Sequence, residues 1–169
     1  MLQTVKEVSH SLGLAAYEDD ALEEDAMIIE YGDYNIYCIS TKSFATLGYL
    51  IPIEEEVQEI YRDLNQQKAI EIQRALVQQS RIGRSQVDII QGEVDGEGVP
   101  PIQEIDCLLN IYVEEDGPEA RRVLLNSLQE VINAGRRTEA ALNEIFGDAT
   151  SGDVSSSDSD SDNSNIAFR

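Results

Sequence analysis

The chain has 169 residues, of which 33 are Asp or Glu and 12 are Lys or Arg, giving a net charge of −21. Eighteen of these excess negative charges lie before residue 151, in the part of the chain whose composition favours folding. Such a surface repels phosphate backbones and anionic membranes, which argues against direct binding to nucleic acid or membrane and favours basic partners.

Two zones of different composition divide the chain. Residues 1–149 have enough apolar side chains for one domain with its own core. Residues 150–169 are rich in Ser and Asp, and we expect them to be a disordered tail because 151–165 include one apolar residue, Val154. The first residues lack the pattern of a secretory signal, and no apolar run approaches the roughly twenty residues of a membrane span. We therefore expect a cytoplasmic protein.

The first part of the chain predicts a helix followed by an antiparallel meander. Residues 2–13 place apolar side chains on one helical stripe, made of Leu2, Val5, Val8 and Leu12. Three short runs rich in β-branched and aromatic residues follow an acidic connector, at 26–31, 34–40 and 44–51. Gly32 and Asp33, between the first two runs, have the composition of a two-residue type II′ hairpin turn.

The second part predicts two more helices separated by two strands. A helix begins after Pro52, where Glu54, Glu55 and Glu56 put negative charge at the positive end of its dipole. Its apolar stripe changes register near Asn65, which indicates a bend or a break. Residues 86–91 alternate weakly and predict an edge strand, and 102–113 predict a stronger one. The last helix is expected from Pro118 to about Phe146, with Gly147 ending it.

The element order is therefore helix, three-strand antiparallel meander, helix, two strands and C-terminal helix, which predicts an α+β domain with helices packed on a sheet. This order, together with the size and the acidity, resembles the secretion-chaperone-like fold of the small acidic chaperones of type III secretion effectors. No sequence motif carries the resemblance. It implies a fold and a usually dimeric, polypeptide-holding protein, and it implies no site residues.

No set of residues indicates a catalytic, metal or cofactor site. His10 is the sole histidine and lies off the apolar stripe of its helix. Cys38 and Cys107 lie inside apolar runs, so we expect buried thiols. Zinc would lack ligands, and the glycine-rich segment 92–98 carries acids where a phosphate-binding loop needs a Lys. We expect no cofactor.

The preferred functional hypothesis is a non-enzymatic, chaperone- or adaptor-like protein that holds a partner polypeptide by an apolar face with an acidic rim. The expected partner is another protein with a basic segment, and a homodimer is left open. Candidate partner-binding residues are Leu124, Leu128, Val131 and Leu142 on the last helix, for which core packing is the other role, and Phe168 in the tail.

Two alternatives belong to other classes of function. The first is an acidic mimic of nucleic acid that occupies the groove of a basic protein, using the acid clusters at 18–25 and 54–59. The second is an enzyme that uses carboxylates and Mg²⁺ around one strand. Its candidate ligands are Glu104, Asp106, Glu114, Glu115 and Asp116.

Overall fold

The computed structural model describes residues 1–18, 26–41, 43–94 and 98–150, and side chains as far as Gly147. Four helices and six strands lie within these ranges. In chain order they are α1 (Leu2–Ser11), β1 (Ala15–Tyr17), β2 (Ala26–Tyr31), β3 (Tyr34–Ser40), β4 (Ala45–Pro52), α2 (Glu55–Arg62), α3 (Gln66–Ser80), β5 (Gln86–Gln91), β6 (Ile102–Ile111) and α4 (Pro118–Thr150).

The strands form one antiparallel sheet in the order β1-β2-β3-β4-β6-β5. The predicted α+β class is confirmed, and so is the meander, since β2, β3 and β4 pair in sequence. Tyr31 pairs with Tyr34 across a two-residue turn in which Gly32 has a φ of 63°. After β4 the chain crosses through α2 and α3 to the far edge, where β5 is the expected edge strand. The stronger strand β6 then returns between β5 and β4.

Three elements differ in kind or extent from the sequence-based prediction, beside shifts of one or two residues at other ends. Strand β1 was not predicted, because three residues are too few to show an alternating pattern. The helix expected after Pro52 is two helices, and Asn65 caps the second by accepting a hydrogen bond from the Lys68 backbone amide at 2.9 Å. The prediction that Gly147 ends the last helix is wrong: α4 continues to Thr150, since one glycine costs a helix only about 1 kcal/mol.

All four helices pack on one face of the sheet, and the core between them consists of two clusters that meet at Tyr49. The first cluster joins α1 and the N-terminal half of α4 to β1–β4 and the C-terminal end of β6, and the second joins α2, α3 and the C-terminal half of α4 to β4–β6. In the part of the chain that the structure describes, no helix has the length and apolar character to cross a membrane.

Both cysteines are free and buried, as predicted. Burial raises the pKa of the Cys38 thiol to about 12. Burial also raises the pKa of Cys107, against the opposing effect of its hydrogen bond with Thr138, whose Oγ1 lies 3.4 Å from the sulfur. The predicted tail, with Phe168, lies outside the described residues from residue 151 onward.

Candidate protein-interaction surface

The face of the sheet opposite the helices contributes no large side chain to either core cluster. Because side chains alternate along a strand, every second residue of the six strands points away from the helices. No helix of the described residues packs there. We call this surface the open face; its apolar and aromatic members are Tyr17, Ile28, Tyr37, Ile39, Leu50, Ile90 and Leu108, and its acids are Glu30, Asp88, Glu104 and Asp106.

One row of the open face crosses all six strands and is almost entirely apolar. Its order, given by the strand registers, is Tyr17, Ile28, Tyr37, Gly48, Leu108 and Gln86. Leu50 and Ile39 flank this row on opposite sides, each two residues away from it along β4 and β3. Tyr17 and Ile39 are each 41% exposed, and Leu50 and Ile90 each 40%. A solvent-facing sheet normally alternates to polar residues, so this composition is typical of a surface that another molecule covers.

The ring of Tyr37 is held in place within this row by two contacts. It lies over Gly48, the residue that it faces on β4, where a Cβ would be only 2.0 Å from the ring. Its hydroxyl crosses β4 and donates a short hydrogen bond to Asp106 Oδ2 on β6. Burial raises the pKa of the Tyr37 hydroxyl, and the bond to Asp106 raises it further, so the phenol stays protonated as the donor.

Three carboxylates form an acidic patch at the β5–β6 end of the open face. Asp88 lies directly opposite Asp106, and Glu104 lies one step along β6, opposite Ile90. Burial raises the pKa of Asp106; the hydrogen bond from Tyr37 lowers it, while Asp88 and Glu104 raise it. Its Oδ1 is buried and has no hydrogen-bond partner among the described residues. None of the six strands contains Lys or Arg, so no cation of the sheet itself faces this patch.

The residues nominated on the last helix lie on the other side of the sheet. Leu124, Leu128 and Val131 are fully buried in the first core cluster, so within the subunit they have the core role that the sequence left open beside partner binding. Leu142 is partly buried and lines a groove of about 330 Å³ near the C-terminal end of α4. We call it the helix-end groove; its apolar side chains are Ile51, Pro52, Ile53, Val57, Leu142 and Phe146.

The helix-end groove is positioned by a close contact between α4 and β4. A Cβ on Gly135 would lie 2.1 Å from the Tyr49 ring, so the absence of a side chain lets this ring pack against the helix. Tyr49 then donates a hydrogen bond of 3.0 Å to Glu139 Oε1, one turn further along α4. Glu139 is part of the groove rim, together with Glu54.

The remaining sequence candidates do not converge. His10 is exposed, and its Nε2 lies 3.2 Å from the Ala16 carbonyl oxygen. Glu104 and Asp106 share the acidic patch, whereas Asp116 pairs with Arg121 at 2.9 Å beyond the other end of β6. No three His, Cys, Asp or Glu side chains are grouped to hold a metal ion in the described ranges.

The candidate interaction residues taken from the sequence lie on the last helix and in the tail, and none of them belongs to the open face. The signal was present in the strands, where Tyr37 and Ile39 alternate with the buried Ile36 and Cys38. A strand with apolar residues on both of its faces is ordinarily predicted to be buried on both faces of its sheet. The sequence predicts the helices, but their number does not show that all of them pack on the same face of the sheet.

Two solved structures share this fold. An uncharacterized protein from Methanothermobacter thermautotrophicus superposes with a TM-score of 0.63 at 17% identity, over 86% of this chain and 98% of that chain. YbjN from E. coli, a proposed transcription regulator, superposes with a TM-score of 0.50 at 7% identity, over 88% and 93% respectively. No protein-family model and no curated protein matches the sequence. At these identities the likeness shows architecture alone.

Proposed function

We propose that the protein acts by binding, not by catalysis, and that its open face holds a partner polypeptide that combines apolar side chains with Lys or Arg. The observation that carries the proposal is the row across the sheet, which is apolar on β1–β4 and β6, with the acidic patch at its β5–β6 end. Burying such a row supplies the free energy of association, and the acids select the charge of the partner. The fold that the sequence resembles implies the same polypeptide-holding role.

Charge complementarity points to a basic partner. The open face contains four acids and its strands contain no Lys or Arg. An Arg or Lys side chain that reaches the patch would meet Asp88 and Asp106 together, and it would give the buried Oδ1 of Asp106 a charged donor. An acidic segment would meet only like charges, which costs several kcal/mol at an interface.

A second copy of this chain fits the open face less well. A two-fold symmetric dimer pairs one surface patch with the same patch of its partner, so the acids of the two copies would share one interface without cations from the strands. A homodimer through another surface is compatible with the proposal. Sedimentation over a range of concentrations will show the state in which the chain binds.

Binding can be tested with a pair of synthetic peptides. Both alternate Ile, Leu and Tyr with a charged residue, which is Lys in one peptide and Glu in the other. We expect the fluorescently labelled Lys peptide to bind the full chain and the Glu peptide to bind at least tenfold more weakly, since tenfold corresponds to about 1.4 kcal/mol. The change in fluorescence anisotropy on titration gives both affinities.

Substitutions then locate the binding surface. Ile39→Ser with Leu50→Ser should weaken binding of the Lys peptide about tenfold or more, and Asp88→Asn with Glu104→Gln should remove the preference for Lys over Glu. Ile70→Ser is a matched control, because Ile70 lies on α3 and is 41% exposed, as Ile39 is. Equal loss of binding in this control, or unchanged binding in the two open-face variants, would contradict the proposal.

A further inference from the structure

The helix-end groove lies between α4 and the segment 51–57 and has no role in the function proposed above. It combines an apolar floor, which includes Leu142 and Phe146, with the carboxylates of Glu54 and Glu139 at its rim. Asn143 adds an amide side chain to the same lining. A groove of this composition fits a short apolar segment that carries one positive charge and exposes backbone groups.

The chain itself contains such a segment a short distance further on. The last four residues, Ile166, Ala167, Phe168 and Arg169, bring back apolar character after a Ser/Asp-rich stretch. Arg169 is the one Lys or Arg after residue 150, and the four acids of that region all precede residue 163. The segment 166–169 therefore combines apolar side chains with one cationic side chain, and the stretch before it is negatively charged.

We propose that residues 166–169 of the chain dock into the helix-end groove of the same molecule, with Phe168 against Leu142 and Phe146 and with Arg169 at the acidic rim. The proposal joins two sequence candidates, Phe168 and Leu142, the second of which packs against the core but stays partly exposed in the groove. It is independent of the open face and of any partner.

The length of the connecting chain permits this return. Gly147 lines the groove, and Thr150, where α4 ends, is three residues further, or about 4.5 Å along the helix axis. Residues 151–165 could extend to about 50 Å, far more than the distance that has to be covered. A tether of this kind gives an effective concentration in the millimolar range, so a weak contact is sufficient to keep the groove occupied.

Charge favours these four residues over the stretch that precedes them. The groove rim continues into Glu55, Glu56 and Glu59 at the start of α2, which attract Arg169 and repel the Asp residues of 151–165. The spacer is therefore held off the surface while its end is drawn to it. Ile166 and Phe168 then remove apolar area from water on docking.

The test uses tryptophan fluorescence, because the chain contains no Trp. Phe168→Trp in the full chain places one reporter in the docking segment, and Val154→Trp places the same reporter in the acidic spacer as a matched control. We expect the Phe168→Trp chain to have blue-shifted emission and an acrylamide quenching constant at least twofold lower than that of the Val154→Trp chain. Equal emission and equal quenching in the two chains would overturn the proposal.

Groove substitutions and dilution complete the test. Leu142→Asn in the Phe168→Trp chain should restore quenching to the level of the spacer control, and Val57→Asn does the same by a second route if the first variant unfolds. Protection of the Phe168→Trp reporter from acrylamide quenching should persist on hundredfold dilution, because the contact is intramolecular. Protection that disappears on dilution would show that the groove holds the end of another copy, and protection that survives both groove substitutions would place the end elsewhere; either result overturns the proposal.

Discussion

The ring of Tyr37 lies on the backbone of Gly48, and a side chain at position 48 would have to occupy the space of the ring. The two residues face each other in the β3–β4 register. Through this contact Tyr37 reaches over one strand and binds Asp106 on the next. A glycine in the middle of a strand thus fixes an aromatic ring on the surface of the sheet.

Gly48→Ala should destabilise the protein by about 1–3 kcal/mol, because the added methyl displaces the Tyr37 ring and breaks its hydrogen bond to Asp106. Urea unfolding of Gly48→Ala, Tyr37→Ala and the double variant measures the coupling between them. In the Tyr37→Ala background we expect the Gly48→Ala change to cost nothing. A cost of the same size in both backgrounds would refute the contact as its cause.

Gly135→Ala tests the contact on the other side of β4. Alanine favours a helix over glycine by about 1 kcal/mol, yet here its methyl would lie 2.1 Å from the Tyr49 ring, so we expect a net loss of stability. The control is Gly147→Ala on the same helix, where a Cβ meets nothing within 4 Å. Thermal or urea unfolding should show opposite signs for the two changes, and a stabilised Gly135→Ala protein would contradict the prediction.

Asp106 should make stability depend on pH in a defined direction. Burial raises its pKa above the ordinary value of 3.8, with Asp88 and Glu104 adding to the effect and Tyr37 opposing it. The folded state therefore holds this proton more tightly than the unfolded state, so the contribution is complete below 3.8 and is lost as the pH rises through the folded-state pKa.

Asp106→Asn removes this titration and keeps an oxygen that accepts the Tyr37 hydroxyl. The stability of the variant relative to wild type should increase as the pH rises from about 4, and should then level off. Urea unfolding over a pH series measures it. The Asp88→Asn background should reduce the increase, because it takes away one neighbouring charge. A difference that stays constant with pH would rule out Asp106 as the titrating group.

The leucines of α4 should separate into core and groove residues. Leu128→Ala removes a fully buried side chain and should cost about 2–5 kcal/mol of unfolding free energy. Leu142→Ala should cost clearly less, since this side chain is only partly buried and lines the helix-end groove. Chemical denaturation of both variants gives the comparison. A similar large loss for Leu142 would indicate that the groove is closed in solution.

The two thiols should be unreactive in the folded protein. Burial raises the pKa of Cys38 to about 12, so little thiolate exists at neutral pH, and solvent does not reach either sulfur. A disulfide reagent that releases a coloured thiolate should react with both cysteines in urea and with neither in buffer within the time of mixing. Immediate reaction of one thiol in buffer would show that its part of the sheet opens readily.

The sequence predicted most elements of this fold because their signals are local. The turn at Gly32, the strand β6 and the helix α4 each follow from residues that are close in sequence. The sequence indicated an irregularity near Asn65 but did not distinguish a bend from a new helix, because an apolar stripe that changes register is compatible with both. Strand β1 carries no local signal and exists because β2 offers it an edge.

The candidate surface could not be predicted in the same way. Tyr37, Gly48 and Asp106 lie on three strands, and only the register brings them together. Their roles depend on which side of the sheet the helices occupy, which is a property of the whole packing. The buried positions of Leu124 and Leu128 show the converse, because an apolar stripe on a helix has the same appearance whether it meets its own sheet or a partner.

Strand β4 has consequences for how the protein can vary in length. The Tyr37 ring packs on Gly48 on one face of the sheet, and the ring of the next residue, Tyr49, packs against α4 on the other face. A one-residue insertion before this pair would reverse the face of the sheet to which each of the two residues points. It would place a bulky group under Tyr37 and would also remove the Tyr49 ring from Gly135. Natural relatives should therefore accommodate insertions and deletions outside this strand.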